Sequence, residues 1–424
     1  MIVFGVGLLA VSVASLLPLT APAPTATRPA DSASTLDRRI TTAQRSLDQR
    51  PRNPKLWADL GTAYVEKARI TANPVYYQKA DGALNRSLDQ QPEGNATALI
   101  GLGALANARH DFTAARDWGL RAKAVQPDTA EVYGVLADAY TQLGDTDAAT
   151  GAIQRMLDLK PGVSSFTRAA YDFELHGQVD QARDALERAL DDAVDPSDIA
   201  FCRYRLGELA YDNGDVDTAE QHYEAGLRAA PQDPPLLQGR AKIAAARGDT
   251  TTAIAAYQDL VNRLPTSQYL QEYAALLTAA GKPDLARQQY TLIEQQEQLQ
   301  AAAGATDDLA ASLVAADRGD AAAALARAQA EWARRQPVFA ADALAWALHL
   351  NGRDAEALTF ADRAAALGWH NAAAAYHRGK ILAALGRDAD AVTALDQALR
   401  INPHFSPVGA PDARRTLATL RAAR

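Results

Sequence analysis

The chain has 424 residues, 48% of them apolar and only 6% aromatic, which is ample material for a large core. Its formal charge of −8 argues against DNA or RNA as the main partner, because phosphate binding needs clustered Lys and Arg. The single cysteine, Cys202, excludes an intramolecular disulfide and a cysteine-built metal site, and it reads as a small buried apolar residue.

Residues 1–20, MIVFGVGLLAVSVASLLPLT, carry no charged side chain, and residues 21–35 form a Pro/Ala/Thr/Ser linker. The segment reads as a signal peptide or a membrane anchor. Small-x-small steps at Ser12-Val13-Ala14 and Ala21-Pro22-Ala23 are weak cleavage sites, and no Lys or Arg precedes the apolar run. Arg28, Arg38 and Arg39 follow it, which on the charge rule favours a cytoplasmic body. Export to the extracytoplasmic face of the cell envelope is the preferred reading, since these charges begin well past the run; the cytoplasmic face is the alternative.

Beyond residue 36 the chain repeats itself. A glycine followed five residues later by an alanine occurs at Gly144/Ala149, Gly177/Ala182, Gly214/Ala219, Gly248/Ala253, Gly281/Ala286, Gly319/Ala324, Gly352/Ala357 and Gly386/Ala391. The steps between these glycines are 33, 37, 34, 33, 38, 33 and 34 residues, and His110/Ala115 extends the series one unit earlier. A period of this size signals a stacked repeat.

Residues 131–162 give the physical content of one unit. Tyr133, Leu136, Ala137 and Tyr140 make the apolar stripe of a first helix, which Gly144 ends with left-handed backbone. Asp145 or Asp147 caps the second helix, whose stripe is Ala149, Ile153, Met156 and Leu157, and Pro161 stops it. Ala137 and Ala149 are small where the two axes should pass closest. One unit is a helical hairpin.

Trp57, Leu60, Gly61, Tyr64, Ala80, Leu84, Leu88 and Pro92, echoed by Leu206, Gly207, Ala219, Tyr223, Leu227 and Pro231, carry a family likeness. From about residue 53 to 403 the chain resembles a tetratricopeptide-repeat (TPR) protein, of the bacterial envelope type. The resemblance implies an all-α, right-handed superhelical solenoid of about ten helix-turn-helix repeats, with a concave groove lined by the first helices. Units close near Pro92, Pro127, Pro161, Val194, Pro231, Pro265, Gln298, Pro337, Gly368 and Pro403. The array divides into residues 36–300 and 301–403, with longer, loosened junctions at Asp191 to Asp198 and Glu297 to Ala305. Residues 36–51 cap one end, and residues 404–424 carry a capping helix at the other.

Motifs for chemistry are missing: there is no phosphate loop, no H-E-x-x-H, no G-x-S-x-G and no calcium loop. The seven histidines, at 110, 176, 222, 349, 370, 377 and 404, are dispersed, and no metal, cofactor or catalytic residue is expected. An enzyme or ligand carrier built on the solenoid would need a pocket such as one lined by Trp346, His349 and His377.

In TPR proteins the second, fifth, ninth and twelfth positions of each unit face the groove. That register selects Glu131, Asp138, Tyr171, Glu174, Phe201, Tyr204, Glu208 and Tyr211 as an acidic and aromatic partner-binding trough, suited to a protein or peptide with basic residues. The residues of a carboxylate clamp for chaperone tails are lacking: Ala58, Thr62, Gly101, Glu131 and Val135 stand in its positions, and Arg205 is alone. The expected function is a non-enzymatic scaffold for protein–protein interaction at the cell envelope, possessing no cofactor and no nucleic-acid partner, with residues 1–20 available for membrane anchoring. Replacing Tyr204 and Glu208 by Ala is expected to weaken capture with little loss of stability.

Overall fold

The computed structural model describes residues 32–422, which are helix and loop throughout. α1 (Ser32–Gln49) stands alone, and ten hairpins follow. The first four are α2 (Pro54–Thr71) with α3 (Val75–Gln90), α4 (Ala96–Ala108) with α5 (Phe112–Val125), α6 (Ala130–Leu143) with α7 (Thr146–Leu159), and α8 (Val163–Leu175) with α9 (Val179–Asp191). The next three are α10 (Pro196–Asp212) with α11 (Val216–Ala229), α12 (Pro234–Ala246) with α13 (Thr250–Arg263), and α14 (Ser267–Ala279) with α15 (Pro283–Ala302). The last three are α16 (Asp308–Asp317) with α17 (Ala321–Arg334), α18 (Val338–Leu350) with α19 (Asp354–Ala364), and α20 (Ala372–Ala384) with α21 (Asp388–Ile401). α22 (Gly409–Ala422) covers the apolar end of α20 and α21 through Ala410, Ala413 and Leu417. The expected signal or anchor of residues 1–20 lies outside the described residues, and no described helix is long and apolar enough to cross a membrane.

The glycine-alanine marker has a direct explanation. All eight glycines have positive φ, and so does His110 at 61°, the one non-glycine member of the series. The aspartate after the turn then caps the second helix: Asp145 accepts from the Ala148 amide at 3.3 Å, and Asp111, Asp215, Asp249 and Asp320 repeat the bond at 3.0–3.1 Å. The marker alanines are buried to 0–2% exposure at the helix crossings, where a longer side chain would separate the pair. Gly207 shows the same constraint inside a helix, because a Cβ there would enter the ring of Tyr223, itself fully buried.

First helices pack on the first helices of adjacent units, as α4 does on α2 and α6, and α18 on α16 and α20. Among the described residues no comparable contact joins successive second helices. The first helices therefore take the shorter arc and form the inner, concave face. One expectation changes: the junction at Glu297 to Ala305 is not loosened over its length, because α15 continues as helix to Ala302.

The coil also closes on itself. Turns inside early hairpins meet the connections between late ones, as successive windings of a spring would. Thr306 N donates to Arg109 O at 3.4 Å and Gln336 N to Leu143 O at 3.2 Å. Farther along, Gly177 lies against the Gly368 carbonyl, His370 Nδ1 lies 2.9 Å from Asn213 Oδ1, and Asn402 Nδ2 donates to Tyr211 O at 2.8 Å. Partners across this seam include pairs 191 and 193 residues apart, which sets the length of one winding.

Candidate functional site: the inner face

The inner face is organised by side chains that reach from one first helix to the next. Asp138 on α6 accepts two bonds from the Arg168 guanidinium of α8, both at 2.7 Å. Glu174 on α8 accepts from Arg205 on α10 at 2.7 Å, and the Arg205 guanidinium also lies over the Tyr171 ring, 5.9 Å from its centroid. Glu208 on α10 accepts from Lys242 on α12 at 2.8 and 3.0 Å and from the Tyr223 hydroxyl at 2.6 Å. Tyr204 OH donates to Gln238 at 3.2 Å, and Gln238 donates to Glu272 at 2.7 Å. Partners in this ladder lie 30 to 34 residues apart, one repeat along the chain.

These pairs alter the picture of a free acidic trough. Burial raises Asp138 and Glu174 above the ordinary carboxylate range, while the facing guanidiniums pull them back. Burial alone would lower Lys242, but Glu208 and then Asp212 outweigh it and hold its proton tightly. Asp138, Glu174 and Glu208 are thus answered by the chain's own cations. Glu131, in the first turn of α6, is met more loosely by Lys160 at 3.3 Å.

Tyr211 is not a groove residue. It is 5% exposed, carries the Lys242 ammonium 4.4 Å from its ring centroid, and donates its hydroxyl to His404 O at 3.2 Å across the seam. Tyr171, Phe201 and Tyr204 remain half-buried on consecutive inner helices. The expectation that Glu208 can be removed with little loss of stability also fails on physical grounds. Lys242 has 8% of its side chain exposed, and truncating Glu208 would leave that ammonium buried without its counter-charge. Cys202 is fully buried and its thiol is pushed up to about 12 by burial, so it is unreactive packing.

Farther along, Trp346, His349 and His377 do come together, but against one another. Trp346 stacks on His377 at 4.3 Å between centroids and tilts against His349 at 5.1 Å. His377 lies 3.0 Å from both oxygens of Asp342, and His349 lies 2.5 Å from Asp354. Among the described residues no group of three or more His, Cys, Asp or Glu side chains is placed to hold a metal ion. Sequence reasoning missed the cationic half of the ladder, Arg168 and Lys242, and the later acids Asp317 and Asp342. For Arg168 and Lys242 the signal was present: each stands one period after an inner acid, Asp138 and Glu208.

Residues 130–162, 167–234, 236–267 and 370–404 match models described as tetratricopeptide repeat. The chain carries tetratricopeptide repeats. A stretch of 100 residues is 33% identical to anaphase-promoting complex subunit 3 of Dictyostelium discoideum, covering 24% of this chain and 10% of that protein. The matched stretch therefore spans about a tenth of the length of that relative. Among solved structures, the human IFIT1 dimer with m7Gppp-AAAA is 16% identical, with 78% of this chain and 76% of that chain covered and a TM-score of 0.48. A thermophilic TPR protein of Thermus thermophilus is 22% identical over 46% of this chain and 98% of its own, with a TM-score of 0.39.

Proposed function

We propose that this protein is a non-enzymatic scaffold that holds a polypeptide, extended or helical, along the inner face of its repeats. The observation that carries the reading is the run of half-buried aromatic rings, Tyr171, Phe201 and Tyr204, on consecutive inner helices whose charges are already paired. Rings held in place offer contact area with little rotamer entropy left to lose. The central carboxylates then act as a fixed polar frame, and contact area, not free acid, is what this part of the face presents. Placement at the cell envelope rests on the uncharged residues 1–20, and protease access on intact cells separates the extracytoplasmic from the cytoplasmic face.

The test is capture by the immobilised full chain, compared with a variant carrying Tyr171→Ser and Phe201→Ser. Both chains are first checked for helical content by circular dichroism. Loss of specifically captured polypeptides is expected. Unchanged capture by a folded variant removes this part of the inner face from the proposal.

A further inference from the structure

α1 covers the first hairpin with one face and leaves the other to solvent. Leu36, Ile40 and Leu47 are buried in the core shared with α2, whereas Arg38 and Arg45, two turns apart, stand on the opposite side with Arg39 beside them. Arg50 and Arg52 follow at the bend into α2. That bend is fixed to the body, because the Pro51 carbonyl accepts from Trp57 Nε1 at 2.8 Å and from Gln90 Nε2 at 3.0 Å. All five arginines are exposed.

The chain does little to cancel this charge. Residues 32–52 hold only two acids, Asp37 and Asp48, and Asp37 is taken by Lys67 of α2 at 2.7 Å. Among the described residues none of the five arginines is ion-paired, and only Arg38 has a side-chain hydrogen bond, to the Thr35 hydroxyl at 3.1 Å. Elsewhere an exposed arginine is commonly answered within one turn, as Arg69 is by Glu66, Arg353 by Glu356 and Arg387 by Asp390. Unpaired arginines such as Arg86, Arg188, Arg228 and Arg400 lie singly on α3, α9, α11 and α21. A chain of formal charge −8 thus carries a basic surface at one end of its array.

What precedes that surface in the sequence points to its partner. Residues 21–31 join the uncharged residues 1–20 to α1, and fully extended they reach at most about 40 Å. An apolar run seated in a bilayer would therefore keep α1 near the headgroups, where a polybasic patch adds its attraction for anionic lipid to that of the apolar segment. Single-stranded nucleic acid fits less well, because residues 32–52 contain no Phe, Trp or Tyr on which a base could stack.

We infer that the outward face of α1 and the bend after it dock this end of the array onto the anionic headgroups of a phospholipid bilayer, through Arg38, Arg39, Arg45, Arg50 and Arg52. The inference builds on the envelope placement proposed above and is separate from polypeptide capture on the inner face.

The experiment measures co-sedimentation of the full chain with vesicles of phosphatidylcholine alone and of equal parts phosphatidylcholine and phosphatidylglycerol. An arginine near an anionic surface is worth roughly fivefold in binding, so the native chain is expected to bind the mixed vesicles at least about tenfold more tightly, by a margin that shrinks as salt is raised. R39Q, R45Q, R50Q and R52Q together are expected to erase that margin. R86Q, R188Q, R228Q and R400Q together remove the same charge from exposed positions on second helices and are expected to keep the margin within about twofold. R39K, R45K, R50K and R52K together preserve the charge and are expected to preserve binding. Circular dichroism checks that each variant is folded. Equal loss in the two glutamine sets overturns the inference, and so does an oligothymidylate bound as tightly as the mixed vesicles through the same arginines. Equal binding of the native chain to both kinds of vesicle sinks the arginine surface but leaves the apolar run as an attachment. Binding to neither removes the membrane attachment as well, while capture that depends on Tyr171 and Phe201 would still support the scaffold.

Discussion

Asn402 Nδ2 donates to the backbone carbonyl of Tyr211 at 2.8 Å, joining two residues 191 positions apart at the seam between windings of the coil. Asn402 is fully buried, and its Oδ1 also accepts from His404 N at 2.8 Å. Replacing it with Ala leaves the Tyr211 carbonyl without this donor in a buried contact, at a cost of about 1–3 kcal/mol. Asn402→Ala is therefore expected to speed amide exchange locally, around residues 209–214 and 402–406, with far less effect on α2 to α5. Hydrogen exchange read by mass spectrometry checks this, and a uniform change over the whole chain would count against a local seam.

Gly177 and Gly248 allow the seam to be separated from the turn itself. Both have positive φ, 70° and 81°, so alanine at either strains the backbone by about 1–2 kcal/mol. At Gly248 a Cβ meets nothing within 4 Å, whereas at Gly177 it would collide with the Gly368 carbonyl. Gly177→Ala is expected to lose about 1–3 kcal/mol more than Gly248→Ala through this overpacking. Equal melting temperatures for the two variants would show that the windings part freely.

Glu208 and Lys242 supply a third test, because breaking the pair strands a buried ammonium while replacing both partners does not. Glu208→Ala is expected to destabilise by about 3–5 kcal/mol. The combination of Glu208→Leu with Lys242→Met is expected to lie much nearer the native chain, offset mainly by the lost Tyr223 hydroxyl bond. Chemical denaturation of the single and double variants decides between a pair held by mutual need and one that adds stability outright.

Features confined to one period were legible in the sequence. The register of Gly144 and Ala149 led to the left-handed turn, the aspartate cap and the helix crossing, because these depend on residues within one hairpin. His110 was read correctly as standing in for a glycine, and its φ of 61° shows why the series could include it. The seam was not legible. Which turn meets which connection depends on the pitch of the coil, a sum of small rotations between repeats that no local pattern encodes. Tyr211 was misplaced for this reason, since its twelfth position pointed inward by register while the next winding covered it. Positional rules assign a face to Glu174 and Glu208, but the charge each one meets is set by the facing residue of the next unit.

Asp212 carries the last prediction. One of its carboxylate oxygens, Oδ1, is sealed from solvent without a hydrogen bond, although the residue as a whole is only half-buried. Burial pushes its pKa up to about 7; Lys242 opposes the shift, and Glu208 and Glu174 add to it. In the unfolded chain the same carboxyl titrates near ~3.9. Between these values the folded state binds more protons than the unfolded one, so this group's contribution to stability is complete below about pH 4 and is lost as pH rises through about 7. Asp212→Asn removes the titration. The stability gap between D212N and the native chain should therefore widen in favour of the variant from pH 5 to pH 8, by an amount on the order of 1–3 kcal/mol. Denaturation measured at each pH gives the gap directly, and a gap independent of pH would sink the account. Because Tyr211 and Asn213 on either side of Asp212 both bond across the seam, the same rise in pH should lower amide protection at residues 402–406, measured relative to the base-catalysed intrinsic rate, in the native chain and leave that protection unchanged in D212N.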